Sequence, residues 1–122
     1  MAERISDAEH AVMEVLWDHA PLDAQSIYDR LADSQSWTLA TVKTLLSRLV
    51  AKDALATEAQ GRKFFYRPVI ERTAYVAGES RRLVDRLFGG RLSPLVAQFA
   101  DAETLSPEDI AEIEALLQEL KK

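Results

Sequence analysis

The sequence predicts a mainly α fold with a small β wing, in two parts: a first domain over residues 1–68 and a second over residues 69–122. Three observations carry that prediction. Helix-period apolar patterns with start and stop signals recur along nearly the whole chain. They are interrupted between Leu55 and Arg67, where a short apolar run, the turn Gln60-Gly61-Arg62-Lys63 and the aromatic run Phe64-Phe65-Tyr66 read as a hairpin. After Pro68 the strand signals cease and only amphipathic helices remain.

Composition sets the limits. With 122 residues there is room for one compact domain and an appendage. The balance of 48% hydrophobic and 29% charged residues is that of a soluble globular protein. No stretch approaches the roughly 20 apolar residues needed to span a bilayer. The opening Met1-Ala2-Glu3-Arg4-Ile5-Ser6-Asp7 lacks the apolar core of a signal peptide, so a cytoplasmic location is expected. The absence of Cys removes disulfides, thiolate metal sites and Cys nucleophiles.

The first helix starts at a capping box, Ser6 with Glu9 three residues on, preceded by Ile5 as a hydrophobic staple. Val12, Met13, Leu16 and Trp17 form its buried side, and His19-Ala20-Pro21 ends it. His10 and His19 read as solvated or edge-packed, since no third ligand or nucleophile accompanies them. Leu22 and Asp23 open the second helix, with Asp23 as N-cap and Ile27, Tyr28 and Leu31 inward. Asp33-Ser34-Gln35-Ser36 is a polar connector, and Trp37-Thr38 lead into the third helix with Thr38 as its cap. Two short helices joined by a turn form a helix-turn-helix.

The third helix divides into two faces. At about 100° per residue, Val42, Leu45, Leu46, Leu49 and Val50 fall on one side. The opposite strip is centred on Ala40, Thr44, Ser47 and Ala51, with Lys43 and Arg48 on its margins. Short side chains let a backbone approach another surface closely, and flanking cations suit phosphates. That combination fits a helix lying in the major groove of DNA. The charge distribution agrees. The chain as a whole is −5, yet residues 37–68 carry Lys43, Arg48, Lys52, Arg62, Lys63 and Arg67 against only Asp53 and Glu58, a local +4. Gly61 sits at the hairpin tip, where positive φ is wanted, and Arg62 and Lys63 follow it within reach of phosphate or minor groove. The first domain therefore reads as a winged helix-turn-helix. Its candidate DNA-contacting residues are Thr38, Ala40, Thr41, Lys43, Thr44, Ser47, Arg48, Arg62 and Lys63.

The second part begins with a long helix from about Glu71 to Phe88, stopped by Gly89-Gly90. A short helix follows from Ser93-Pro94. The last starts at Ser106-Pro107-Glu108-Asp109, with a cap, a Pro at the first position and acids in the first turn. Ile110, Ile113, Leu117 and Leu120 recur at spacings of three, four and three, a coiled-coil-like seam. Three thin helices rarely sustain a core alone, so a helical dimerisation domain is expected. Tyr75, Leu83, Leu87, Leu95, Phe99, Ile110, Ile113, Leu117 and Leu120 are its contact residues.

Several stretches together resemble the BlaI/MecI/CopY family of bacterial repressors, the penicillinase-repressor family. Ile5-Ser6-Asp7-Ala8-Glu9 with Val12-Met13 and Leu16-Trp17 resembles its opening helix, and Trp37 through Leu49 resembles its recognition helix. Lys52 to Leu55 and Phe64-Phe65-Tyr66 fit its wing. Gly89-Gly90, Leu95 to Phe99 and Leu105 to Ile110 fit its dimerisation half. The resemblance implies a homodimeric repressor on a palindromic double-stranded DNA operator. In the beta-lactamase branch it also implies a membrane sensor-protease pathway that ends in cleavage of the repressor. The family's cleaved bond lies between Asn and Phe; here the matching pair is Gln98-Phe99. The metal-sensing mode of the copper branch needs a Cys-rich tail, which this chain lacks.

Two readings compete with a repressor: a ligand-responsive winged helix of the multidrug-sensor type and a winged helix used only for protein contacts. An enzyme is not expected, because the sequence shows no metal-ligand spacing, no phosphate loop and no candidate triad. No cofactor or metal is expected.

Overall fold

The computed structural model describes residues 4–122. They form two compact units, one ending at Tyr75 and the other beginning at Val76. Residues 1–3, part of the stretch read as lacking a signal peptide, lie outside the described residues.

Helix α1 (Asp7–His19) starts as its capping box requires. The Glu9 backbone N–H donates to Ser6 Oγ at 3.1 Å, and the Ser6 N–H donates to Glu9 Oε1 at 2.8 Å. Ile5, Val12, Met13 and Leu16 are buried. Trp17 lies at the edge of the core, and its Nε1–H donates to the Ile70 carbonyl at 3.0 Å.

Leu22 and Asp23, expected to open the second helix, form a short strand instead. This strand, β1 (Leu22–Asp23), pairs antiparallel with the wing, Leu22 opposite Tyr66 and Asp23 opposite Phe65. The cause lies in the cap. An N-cap residue is extended, and Asp23 has φ −85° and ψ 170°. The residues entering the helix are therefore already in strand geometry and add to the sheet edge. Helix α2 (Ala24–Leu31) then begins with the Ser26 N–H donating to Asp23 Oδ1 at 3.0 Å, and buries Ile27 and Leu31.

Helix α3 (Leu39–Ala51) is capped by Thr38, whose Oγ1 accepts from the Thr41 N–H at 3.2 Å. Val42, Leu45, Leu46 and Leu49 are buried, as their spacing predicts. Strands β2 (Leu55–Gln60) and β3 (Lys63–Pro68) are longer than the aromatic run suggests. They pair from Leu55↔Pro68 to Gln60↔Lys63, leaving Gly61 and Arg62 as a two-residue turn with Gly61 at φ +63°. The sheet order is β1-β3-β2, so the wing strand β3 is held on both sides.

Helix α4 (Arg72–Phe88) begins on α1. Arg72 Nε stands 2.7 Å from Glu14 Oε1, and its Nη2 stands 3.3 Å from Oε2. Tyr75, grouped by its sequence pattern with the dimerisation residues, packs within the first unit against Trp17. The first unit thus runs seven residues beyond Pro68, because residues after the wing close over α1.

The second unit contains the remainder of α4, then α5 (Ser93–Asp101) and α6 (Pro107–Leu120). Gly89 and Gly90 have φ +59° and +84°, and the Gly90 N–H reaches back to the Val84 carbonyl at 3.1 Å, so the left-handed stop of α4 is as the sequence predicts. Ser106 and Asp109 form a second capping box at the start of α6. None of the described residues from 76 to 122 is buried. Leu83, Leu87, Phe99, Ile110 and Leu117 are exposed, Leu120 is 81% exposed, and Leu95 and Ile113 are half-buried. Leu116, absent from the expected contact set, is exposed too.

Candidate nucleic-acid interface

Helix α3 is amphipathic in an unusual sense. Its inner face is the apolar centre of the first unit, and its outer face is short and polar. Thr38, Ala40, Thr41, Lys43, Thr44, Ser47 and Arg48 are all exposed, together with Ala51. The strip inferred from the helical wheel is therefore one continuous surface. Its hydroxyls are not equivalent. Thr44 Oγ1 donates to the Ala40 carbonyl at 3.0 Å, so Thr44 offers its methyl group and an acceptor lone pair outward. Thr38 Oγ1 is engaged as the cap and lies 3.2 Å from Thr41 Oγ1. The Ser47 hydroxyl is exposed.

Beside this strip the wing forms the second wall of a groove of about 470 Å³. Leu39, Lys43 and Ser47 line it from α3, Arg62, Lys63, Phe64 and Tyr66 from the wing, Asp23 from β1, and Ala24 and Gln25 from the start of α2. Alternation along β3 puts Phe64 and Tyr66 on one face. Tyr66 reaches the core, while Phe64, further toward the tip, is 59% exposed. The wheel identifies the helix side of this groove but not its far wall. Phe64 and Gln25 are not in the sequence-derived set. The parity of Phe64 with the core residue Tyr66 is the signal that would have found the former.

The cations sort by partner. Lys43, Arg48 and Arg62 make no ion pair among the described residues. Lys63 Nζ stands 3.4 Å from Asp23 Oδ2 at the groove floor. Lys52, counted in the basic patch, belongs to the interior. Its Nζ lies 2.6 Å from Oε1 of the buried Glu9 and donates to the Arg4 carbonyl at 2.7 Å. Its charge thus neutralises a buried carboxylate and adds nothing to the groove. Burial pushes the Glu9 pKa up, but hydrogen bonds from Lys52 and Ser6, with the Lys52 charge, outweigh it and hold the carboxylate below its ordinary value. Asp23 is also held low, by hydrogen bonding from Ser26 first and by Lys63 to a smaller degree.

Among the described residues no group of three or more His, Cys, Asp or Glu side chains could hold a metal ion. No described helix is long and apolar enough to cross a membrane. The geometry offers a narrow polar ridge, cations at its margins, and a projecting β-turn carrying Arg62.

Known proteins are similar to this chain in sequence and fold. A family model described as penicillinase repressor matches residues 5–119. The penicillinase repressor of Bacillus licheniformis is 35% identical over 118 residues, spanning 97% of this chain and 92% of its own length. The methicillin resistance regulatory protein MecI of Staphylococcus aureus is 26% identical over 113 residues, spanning 93% of this chain and 92% of MecI. Among solved structures, the DNA-binding domain of the repressor BlaI superposes with a TM-score of 0.56 at 36% identity, covering 62% of this chain and 92% of that domain. Monomeric BlaI of Bacillus licheniformis in complex with the blaP half-operator gives 0.54 at the same 36% identity, over 62% of this chain and 92% of its own. The fold is therefore the winged helix expected from the sequence. With the family match running from Ile5 to Glu119, the chain belongs to the penicillinase repressor family.

Proposed function

We propose that the chain is a homodimeric transcriptional repressor of the cytoplasm that binds a palindromic double-stranded DNA operator through α3 and the wing. The carrying observation is the outer face of α3. Ala40, Thr44 and Ser47 form a smooth exposed ridge between Lys43 and Arg48, on a chain whose net charge is −5. An acidic protein with one local basic surface is built for a particular site rather than for coating nucleic acid. A relative 36% identical was solved in complex with a half-operator, which supports this reading.

The exposed apolar residues of the second unit support the dimer. A fully buried Leu contributes about 1.5–3 kcal/mol. The exposed Leu83, Leu87, Phe99, Ile110, Leu117 and Leu120, with the half-buried Leu95 and Ile113, supply that gain only if another surface covers them. A second copy provides such a surface and gives a palindrome two heads.

Release from DNA belongs to the same reading. Two linked heads gain roughly 100- to 10,000-fold in affinity when the geometry allows both to bind. Cleavage between Gln98 and Phe99, triggered by a membrane sensor-protease pathway, would detach α6 and forfeit that gain. Both residues are exposed on α5. The Gln98 and Phe99 carbonyls accept from Ala102 and Thr104 N–H groups, so α5 unwinds locally before a protease can seat the bond.

Footprinting on the DNA upstream of the chain's own gene tests the proposal. Two protected half-sites related by a two-fold axis are expected. Uniform or absent protection would overturn it. For release, cells are induced with a cell-wall antibiotic and the repressor is weighed by mass spectrometry. Fragments ending at Gln98 are expected, and an intact chain alongside full derepression would eliminate cleavage.

A further inference from the structure

The DNA groove contains a carboxylate. Asp23 lies at its floor, 13% exposed, with Oδ1 capping α2 through the Ser26 N–H at 3.0 Å and Oδ2 3.4 Å from Lys63 Nζ. An acid between a recognition helix and a basic wing repels the phosphates that the groove attracts. The N-cap alone does not require it, because Asn caps as well as Asp. The lysine it holds remains 67% exposed, so Lys63 is tethered without being buried.

We propose that Asp23 is an affinity-limiting residue of the DNA surface: its carboxylate holds Lys63 at the groove floor and withdraws that cation from the phosphate backbone. The inference rests on the reading that DNA occupies the groove beside α3. Of the two cations at the wing tip, Arg62 is then a phosphate contact and Lys63 is a positioning partner that neutralises Asp23. The consequence is a weaker hold on any duplex. Phosphate contacts strengthen operator and random DNA alike, so a withheld cation lowers the affinity for both and shortens the time spent at each non-operator site. The pairing also steadies the wing, because Asp23 lies on β1 and Lys63 on β3, adjacent strands of the sheet.

Salt titrations of the full chain on mixed-sequence duplex DNA test this, comparing the native protein with Asp23→Asn, Lys63→Met and the double variant. Arg48→Ala serves as the control for the underlying reading. Asn keeps the cap, and a single cooperative thermal unfolding transition by Trp fluorescence, well above the binding temperature, checks that the fold is retained. Asp23→Asn is expected to tighten binding by about threefold or more at 0.1 M salt, the order for removing one charge near a phosphate in a wet groove. It should also steepen the log–log salt dependence by about one unit, since one more cation reaches phosphate. In the Lys63→Met background the steepening should vanish. Unchanged affinity and slope for Asp23→Asn, with Arg48→Ala still weakening binding, would overturn the proposal and leave the DNA reading intact. Equal steepening with and without Lys63 would overturn the tether. If Arg48→Ala also has no effect, the DNA reading falls and the proposal with it.

Discussion

The ring of Tyr75 lies 5.4 Å from that of Trp17, and His10 stands within 6 Å of both, at 5.2 Å from Tyr75 and 5.9 Å from Trp17. This three-ring cluster joins the first turn of α4 to α1, beside the Trp17–Ile70 hydrogen bond and the Arg72–Glu14 pair. All of these contacts involve residues beyond the wing. A chain ending at Pro68 loses them, and one ending at Tyr75 keeps them. The longer fragment is expected to be more stable by about 2–4 kcal/mol, from the two ring pairs of Tyr75 at roughly 0.5–1.5 kcal/mol each and one hydrogen bond at about 1. Urea unfolding followed by Trp fluorescence measures the difference. Equal midpoints and slopes would show that the cluster adds nothing.

The Glu9–Lys52 pair links the start of α1 to the end of α3. Glu9 is 1% exposed, and its Oε2 has no hydrogen-bond partner among the described residues. Lys52→Met leaves a buried carboxylate with no counter-charge and is expected to cost about 3–5 kcal/mol. Glu9→Gln preserves the capping-box geometry and removes the buried charge, so its cost should be smaller. Chemical denaturation of the two variants gives the order, and a Lys52→Met protein as stable as the native one would contradict this account of the pair.

Acid should unfold the first unit through named carboxylates. Glu14 is held below its ordinary value chiefly by the hydrogen bond from Arg72, Asp23 by hydrogen bonding from Ser26, and Glu9 by Lys52 and Ser6 against the opposing effect of burial. Each has a lower pKa folded than unfolded. Its stabilisation is therefore fully present above the ordinary Glu value of 4.5 and is lost as pH falls through the folded value. Stability from these groups should be flat from neutral pH down to about 5 and decline below that. Glu9→Gln should reduce the decline. A loss of stability centred near neutral pH would point to a different titrating group.

If α3 lies on DNA as proposed, two of its residues should separate affinity from specificity. Arg48→Ala removes an exposed cation and should weaken binding to all sequences, lowering the magnitude of the salt slope by about one. Thr44→Val keeps the methyl group and removes the outward acceptor. It should change the base preference at one position per half-site by roughly 1–3 kcal/mol. Competition binding against a panel of single-position operator variants distinguishes the two effects. Unaltered binding by both variants would remove α3 from the interface.

Much of the fold was legible because local signals and burial agree. Ser6-x-x-Glu9, Thr38, Gly61, Gly89-Gly90 and Ser106-x-x-Asp109 each mark a boundary through its own backbone chemistry, and each stands where expected. The outer face of α3 was legible for the same reason, since helical spacing alone separates Thr44 from Leu45. What escaped is non-local. Strand β1 is two residues long and exists because β3 lies beside it. No periodicity in a two-residue segment can announce a partner more than forty residues away. The fates of Lys52 and Lys63 escaped likewise, since a count of charges does not reveal which cations already have a carboxylate. Tyr75 falls in the apolar pattern of α4 that the sequence assigns to dimerisation, yet its ring packs on Trp17 of α1.

The most direct test of the central claim is selection of binding sites from random-sequence duplex DNA by the purified full chain, with sequencing of the retained pool. The account predicts enrichment of an inverted repeat whose half-site centres lie about one or two helical turns apart. It also predicts that the enrichment is lost when Lys43 and Arg48 are both replaced by Ala. A pool with no enriched sequence, or an enriched motif that survives loss of both cations, would contradict it.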